Sequence, residues 1–434
     1  VAAIRPFRAW RYDPARAGAP ERLLAPLDDE GLVSRLHYRI SEHALHLAAP
    51  RSAAQAADRW RRWRVQGMLR QDPLPAVYPY SQTFFRPSHS EPYVRHGLLL
   101  MLRLDGPGEP RCILPHEGTL EASVASLTQQ QIATGLNVSP IHVLYEGLQT
   151  DLSQLLSDAL ADPLIEVTDT QGVTHRMGMI QHREQLRLIE QAFAGAKLIV
   201  ADGHHRLAAA MRYRDHLIAT QGPLPAHHPA NYVLAYCTDG DAGSPDAELP
   251  ILPFHRAVQL PSGIDAAAML ARLHAEFSIE PIESRAVLPQ LLAAEPHRIG
   301  LVVARKWYLL TLRSAARIAP LLSHLSLPDS VRELDYTLLH GYVFDRLLGI
   351  PYAEQRTSAL ISYHPDASAA IDKALYQPNH AAFLMHGLTI GQLRRVVNDH
   401  ALMPPKSTYF TPKVLAGLVF SDLSDDLSDT PYDR

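Results

Sequence analysis

The stretch that most constrains the fold is "KLIVADGHHRLAAAMRYRD", residues 197–215. Leu198, Ile199 and Val200 predict a short buried strand, and residues 207–213 predict an alanine-rich helix with Leu207, Ala210 and Met211 on its apolar side. The polar run from Asp202 to Arg206 therefore falls where strand gives way to helix. The first N–H groups of a helix have no intrahelical acceptor and the helix dipole adds positive potential, so such a turn attracts anions. Gly203 permits a backbone geometry and a close ligand approach that a side chain would hinder. Arg206 can offer a bidentate fork to phosphate oxygens, and His204 and His205 can donate hydrogen bonds or exchange protons near neutral pH. Asp202 can coordinate a divalent cation, cap the helix or orient one histidine. The competing reading makes Asp202 the N-cap and the histidines ordinary, partly buried residues. Zinc is disfavoured, since adjacent histidines stand without an HExxH pattern or a cysteine pair.

At 434 residues the chain is long for one hydrophobic core and suits two or three domains, with 47% hydrophobic residues to fill them. The formal charge, 41 minus 45, is −4, which gives no global attraction for nucleic acid or an acidic membrane. Cys112 and Cys237 are the only cysteines and lack metal-binding spacing, so a disulfide-built secreted scaffold is not expected. The opening "VAAIRPFRAWRYDPARAG" has no apolar h-region, and "LLLMLRL" at 98–104 is far below membrane-spanning length. These features lead us to expect a soluble cytoplasmic protein without membrane or nucleic-acid partners, with a homo-oligomer left open.

Mixed strands and helices without a strict repeat predict an α+β (mixed α/β) fold. A helix is expected within 50–70, strands at "AVYPYSQTFF", 98–104 and "IHVLY", helices over 120–134 and near 151–160, and a hairpin over 164–180 turning at Gln171–Gly172. The segment "CTDGDAGSPDAELP", 237–250, is the clearest break in composition. It reads equally as a linker or as a long hairpin excursion between the strand-like "NYVLAY" and "ILPFHRAV". The larger boundary is placed near 260, giving regions 1–260 and 261–420 and an acidic tail, 421–434.

Three further segments carry candidate chemistry. In "ILPHEGT", His116 and Glu117 follow an apolar strand and Pro115; either can hold magnesium or take part in proton transfer, and the competing reading is a polar strand terminus. In "ILPFHRAV", His255 and Arg256 sit in apolar surroundings, as a buried polar network or as an anion contact. In "MPPKSTYFTPK", Lys406, Ser407, Thr408 and Lys413 either close over a phosphorylated ligand or brace the last strand.

Taken together, "IRPFRAWRYDP", "HEGTLEAS", "NVSPIHVLYE", "IVADGHHRLAAAMRYRD", "NYVLAYCTDGDAG", "ILPFHRAV" and "MPPKSTYFTPKVLAGLVF" resemble the family called domain of unknown function 1015, from Ile4 to about Phe420. The family is considered similar to the ParB/sulfiredoxin-like group, which includes archaeal free-serine kinases, and "ADGHHR" is similar to that group's phosphate loop. The resemblance implies a ParB/sulfiredoxin-like core with a second mixed α/β region behind it. It places Gly203, His205 and Arg206 at the phosphate-loop positions, with His204 in the variable place between them. In "LLAPLDD", Asp28 matches an aspartate of the family pattern. The implied activity is that of a kinase using ATP or ADP with Mg²⁺ to phosphorylate the hydroxyl of a small metabolite, a serine-like amino acid among them. Asp202 would organise the metal, with Glu117, His116 and Asp28 as further catalytic candidates and Lys406 and Ser407 as further cofactor contacts. The alternative is a nucleotide-responsive regulatory protein without turnover.

Overall fold

A computed structural model describes residues 2–26, 39–86, 90–106, 108–241, 243–244, 251–283, 285–425 and 427. The fold is α+β, as expected, and the chain divides into two compact units. The first comprises residues 1–115, 119–249 and 412–434; the second comprises 116–118 and 250–411. Among the described residues no helix is long and apolar enough to cross a membrane.

The first unit is built on a nine-stranded mixed sheet. Its strands are β1 (Ile4–Arg5), β2 (Tyr78–Phe85), β3 (Pro92–Arg103), β4 (Ile113–Leu114), β5 (Ile141–Glu146), β6 (Ile165–Thr168), β7 (Thr174–Met177), β8 (Lys197–Asp202) and β9 (Tyr232–Asp239). They lie in the order β6-β7-β2-β3-β9-β5-β8-β4, with β1 beside β3. Pairs β9–β5 and β8–β4 are parallel, and the other pairs are antiparallel.

The run at 98–104 that is too short for a membrane finds its explanation here. Leu98, Leu100 and Leu102 pack into the core on one face of the sheet, while Leu99 and Met101 pack into the core on the other. Neighbouring β9 divides the same way, with Val233, Ala235 and Cys237 on the first face and Tyr232, Leu234 and Tyr236 on the second. A strand covered on both faces reads as a continuous apolar run because neither face needs polar residues. The first face is covered in part by Leu186, Ile189 and Phe193 of helix Arg183–Phe193, spaced to share one helical stripe.

The N-terminal segment is fixed to this sheet by a buried ion pair. Arg11 donates from Nε to Asp72 Oδ2 at 2.9 Å and from Nη2 to Oδ1, and Tyr78 Oη donates to the same carboxylate at 2.7 Å. The tyrosine oxygen also accepts the Ala9 N–H at 3.0 Å, so backbone and side chains close one network. Ser421 and Asp422 pair antiparallel with Leu136 and Asn137, and Arg64, lying over Trp10 and Trp60, reaches the Asp422 carboxylate at 3.2 Å.

The second unit contains a six-stranded sheet in which every pairing is antiparallel. Its strands are β10 (His255–Gln259), β11 (Phe277–Pro281), β12 (Arg298–Val303), β13 (Lys306–Leu312), β14 (Ile361–His364) and β15 (His380–Leu384). This overturns the hairpin reading of 237–250. "NYVLAY" forms β9 of the first sheet and "ILPFHRAV" contributes β10 of the second, so the flanking strands do not pair with each other. The segment "LDYTLLHGYVFDRLLG" begins as helix Asp335–Leu338 and continues as a π-helix over Leu339–Leu347. At Gly341 a Cβ would meet Leu322 Cδ2 at 2.6 Å, so the wide helix packs closely where a glycine allows it.

Candidate functional site

Strand β8 runs antiparallel to β5 with a register shift between Val200 and Asp202 that sets Asp202 opposite His142. Leu198, Ile199, Val200 and Ala201 are buried, which anchors the strand, and the bulge re-aims the side chain at its end. Gly203 follows with φ 93°, in the left-handed region. A Cβ at that position would lie 3.0 Å from both Arg206 Nη2 and Ile141 Cγ2, so backbone conformation and close packing both call for glycine. Helix His204–Gln221 starts at once, its first bond running from Leu207 N–H to the Gly203 carbonyl at 2.9 Å. Its N-cap is Gly203, which has no side chain with which to close the turn.

The charged groups of the turn are mutually braced. Arg206 Nη2 donates to Asp202 Oδ2 at 2.8 Å and Arg206 Nη1 donates to the Pro140 carbonyl. Lys413 Nζ donates to Asp202 Oδ1 at 3.1 Å, and the Lys413 carbonyl accepts from Gln82 Nε2 at 3.0 Å. Burial opposes ionisation of Asp202, but the charges of Lys413 and Arg206 outweigh it and hold the carboxyl well below the usual carboxylate range. Asp202 is thus a counter-ion to two cations and does not cap the helix.

The histidines are placed by specific bonds. His205 Nε2 accepts the Leu120 N–H at 2.9 Å, which puts its proton on Nδ1 and ties the turn to the start of helix Glu121–Thr134. His204 is buried. His142, opposite Asp202, shares a 2.8 Å hydrogen bond with Thr238 Oγ1 and stacks on Tyr236 with ring centroids 5.2 Å apart. Burial, with the charge of Arg95, pushes its pKa well below the ordinary histidine value and keeps it neutral.

The remaining expected site residues fall in the second unit, apart from Asp28, which lies outside the described residues. There the 116–118 strand end and the 403–408 segment meet. Met403 N–H donates to the His116 carbonyl at 2.9 Å, Lys406 N–H donates to Glu117 Oε1 at 3.1 Å, and His116 Nε2 shares a 2.8 Å bond with Thr408 Oγ1. Arg356 lies 3.9 Å from Glu117 Oε1 and donates to the Gly118 carbonyl. Ser407 is buried and its hydroxyl donates to the Pro404 carbonyl at 2.8 Å, while Lys406, with φ 53°, sets its ammonium 5.4 Å from the Phe254 ring centre.

His255 and Arg256 form a polar network within the second unit. His255 Nδ1 accepts the Met385 N–H at 3.1 Å, and burial, followed by the charge of Arg256, lowers its pKa to about 4. Arg256 is fully buried and donates to His340 Nε2 at 3.1 Å, to the Pro405 and Lys406 carbonyls at 3.0 Å each, and to the Phe254 carbonyl. Its guanidinium lies over Tyr336 at 4.6 Å and Tyr363 at 5.3 Å.

The structure therefore brings Asp202, Gly203, His204, His205 and Arg206 into one turn, joins to it Lys413 of the segment expected to close over a phosphorylated ligand or brace the last strand, and adds two groups that local reading missed: the Pro140 carbonyl and His142. The sequence signal of these two is their presence in "NVSPIHVLYE", one of the segments that carried the resemblance.

Among curated proteins no sequence matches the chain. Similar solved structures include a conserved hypothetical protein from Pyrococcus furiosus, at 12% identity and TM-score 0.34, covering 73% of this chain and 93% of that one. A free serine kinase in complex with AMP gives 12% identity and TM-score 0.32, over 70% and 88% of the two chains. C-terminally truncated SbnI from Staphylococcus aureus gives 11% and 0.35, over 77% and 90%. Likeness at this level assigns neither fold nor activity. The sequence profile of the family described as "Protein of unknown function (DUF1015)" spans residues 4–337, more than half of the sequence, and the chain belongs to that family.

Proposed function

We propose that the turn at 203–206 holds a phosphate group of ATP or ADP and that the chain is a nucleotide-dependent phosphotransferase acting on the hydroxyl of a small metabolite, with serine-like amino acids as the first acceptors to test. The observation that carries the phosphate assignment is the pairing of Arg206 and Lys413 at the start of an 18-residue helix capped by glycine. Two cations and one carboxylate leave a formal charge of +1 there, and the helix terminus adds about +0.5. A phosphate can draw on the guanidinium, the ammonium and backbone N–H groups together. The ParB/sulfiredoxin-like grouping belongs to the same reading.

The donor set does not fit a dication held by Asp202. Both of its oxygens already accept from cations, and those cations repel a third positive charge. Mg²⁺ in this reading belongs with the nucleotide. A second reading, a nucleotide-responsive regulator without turnover, is favoured by one fact: a carboxyl held so far below its usual range is a poor general base.

Calorimetry with ADP separates the possibilities. Arg206→Ala should weaken binding by roughly 1.5–3 kcal/mol, the worth of a charge-assisted hydrogen bond, and unchanged affinity in the folded variant rejects the assignment. Asp202→Asn should hold or strengthen phosphate affinity, since the formal local charge rises from +1 to +2. A Mg²⁺-dependent loss of affinity would instead restore the metal role. The same variant tests linkage. The folded-state pKa of Asp202 is depressed, so its ion pairs stabilise the fold above the unfolded value of about 3.9 and lose effect as pH falls from there. The difference in urea midpoint between wild type and Asp202→Asn should accordingly shrink below about pH 4. Chromatographic detection of phosphorylated product across hydroxyl metabolites distinguishes a transferase from a regulator.

A further inference from the structure

The first unit contains a second concavity whose chemistry has the opposite sign. A cleft of about 560 Å³ involves Tyr145 and Asp239 of the parallel strands β5 and β9, Tyr93 of β3, and the first turns of helix Ser153–Leu160. Its size suits a small organic ligand. Tyr93, Tyr145, Leu148, Leu152 and Leu156 give it an apolar and aromatic wall.

Asp151, Asp239 and Asp241 supply its charge, and no lysine or arginine is among the described lining residues. Asp151 and Asp241 are each oriented through one oxygen. Asp151 Oδ1 accepts from Ser153 N–H at 2.9 Å and from its hydroxyl at 2.6 Å, Asp241 Oδ1 accepts from Gly147 N–H at 2.7 Å, and Asp239 Oδ1 accepts from Asp241 N–H at 2.8 Å. Among the described residues, Asp151 Oδ2 and Asp241 Oδ2 accept no hydrogen bond, so both retain capacity for a ligand. Asp151 and Asp241 bring two formal negative charges to a lining without lysine or arginine, and burial lowers the pKa of the lining His96, so the cleft repels phosphate and attracts a cation. The apolar wall selects among cations. A bare divalent ion needs six to eight oxygens closed around it and gains nothing from leucines, whereas an ammonium on an apolar body uses both parts and can also lie against the tyrosine rings.

We infer that this cleft binds a small organic ammonium ion, an amine carrying an alkyl or aryl body, with Asp151 and Asp241 receiving the ammonium and Tyr93, Tyr145 and the leucines receiving the body. The inference is independent of the phosphate assignment at 203–206, and its test uses no nucleotide. Titration calorimetry of the full chain with 2-phenylethylamine at neutral pH should give saturable one-to-one binding with Kd below about 1 mM. The uncharged 2-phenylethanol should bind at least about tenfold more weakly, as should 2-phenylethylamine to Asp151→Asn/Asp241→Asn. Tyr93→Ala should also weaken the amine, which a purely electrostatic surface effect would not produce. Unchanged melting temperature establishes that the variants are folded. No saturable binding, equal binding of the amine by the doubly substituted chain and Tyr93→Ala, or tighter binding of calcium ion alone than of the amine would overturn the inference.

Discussion

Arg256→Ala should lower the stability of the second unit by about 3–5 kcal/mol, a large share of what holds a typical domain folded. Arg256 is fully buried, and among the described residues no carboxylate forms a salt bridge with it. Its charge is dispersed over the Phe254, Pro405 and Lys406 carbonyls, the His340 ring nitrogen and two tyrosine faces. Burial lowers its pKa, which registers the cost of keeping the cation there. Truncation relieves that cost but strands three carbonyls, at about 1–3 kcal/mol for each one that water cannot reach, and opens a cavity between Tyr336 and Tyr363. Arg256→Met fills most of the volume without the charge and should be less damaging. Hydrogen exchange resolved along β10 to β15 is the appropriate measurement, because it assigns the loss to the unit in which it arises. Undiminished protection in Arg256→Ala would show that the carbonyls find other donors.

Asp72→Ala should cost the first unit a similar amount, about 3–5 kcal/mol, for the converse reason: it removes the anion and leaves the cation. Arg11 and Asp72 are 5% and 4% exposed, so the guanidinium cannot turn to water without moving the N-terminal segment, and Tyr78 loses its nearer acceptor, keeping the Phe7 carbonyl at 3.3 Å. Denaturant midpoints should fall for Asp72→Ala, and removing both charges in Arg11→Met/Asp72→Leu should recover much of the loss. If the double variant is no more stable than the single one, packing rather than the stranded charge dominates.

The strand, turn and helix at 197–221 were legible because their signals are local: an apolar triplet, a glycine and an alanine-rich amphipathic run. Buried strands β3 and β9 were legible as apolar runs, but their partners were not. Hydrophobicity marks a covered strand without naming what covers it, which is why a hairpin of "NYVLAY" and "ILPFHRAV" stands level with a linker between them in the sequence. The site divides similarly. Glycine and arginine announced the turn, whereas the opposing arm of the clamp, Lys413, lies 211 residues beyond Asp202, and only the fold brings it there. The partners of His116 and Glu117 were hidden in the same way: the His116 carbonyl and the Glu117 carboxylate accept from the backbone N–H groups of Met403 and Lys406, far along the chain.

The first unit is interrupted: residues 250–411 belong to the second unit, and the chain resumes the first at Pro412. During synthesis on the ribosome, Asp202 and Arg206 emerge long before their lysine. The interval of 211 residues corresponds to about 10–40 s of translation, during which the carboxylate has only Arg206 of its two cations. The clamp is therefore a late event in the life of the nascent chain, and a chain ending before residue 413 would retain the turn but not the clamp.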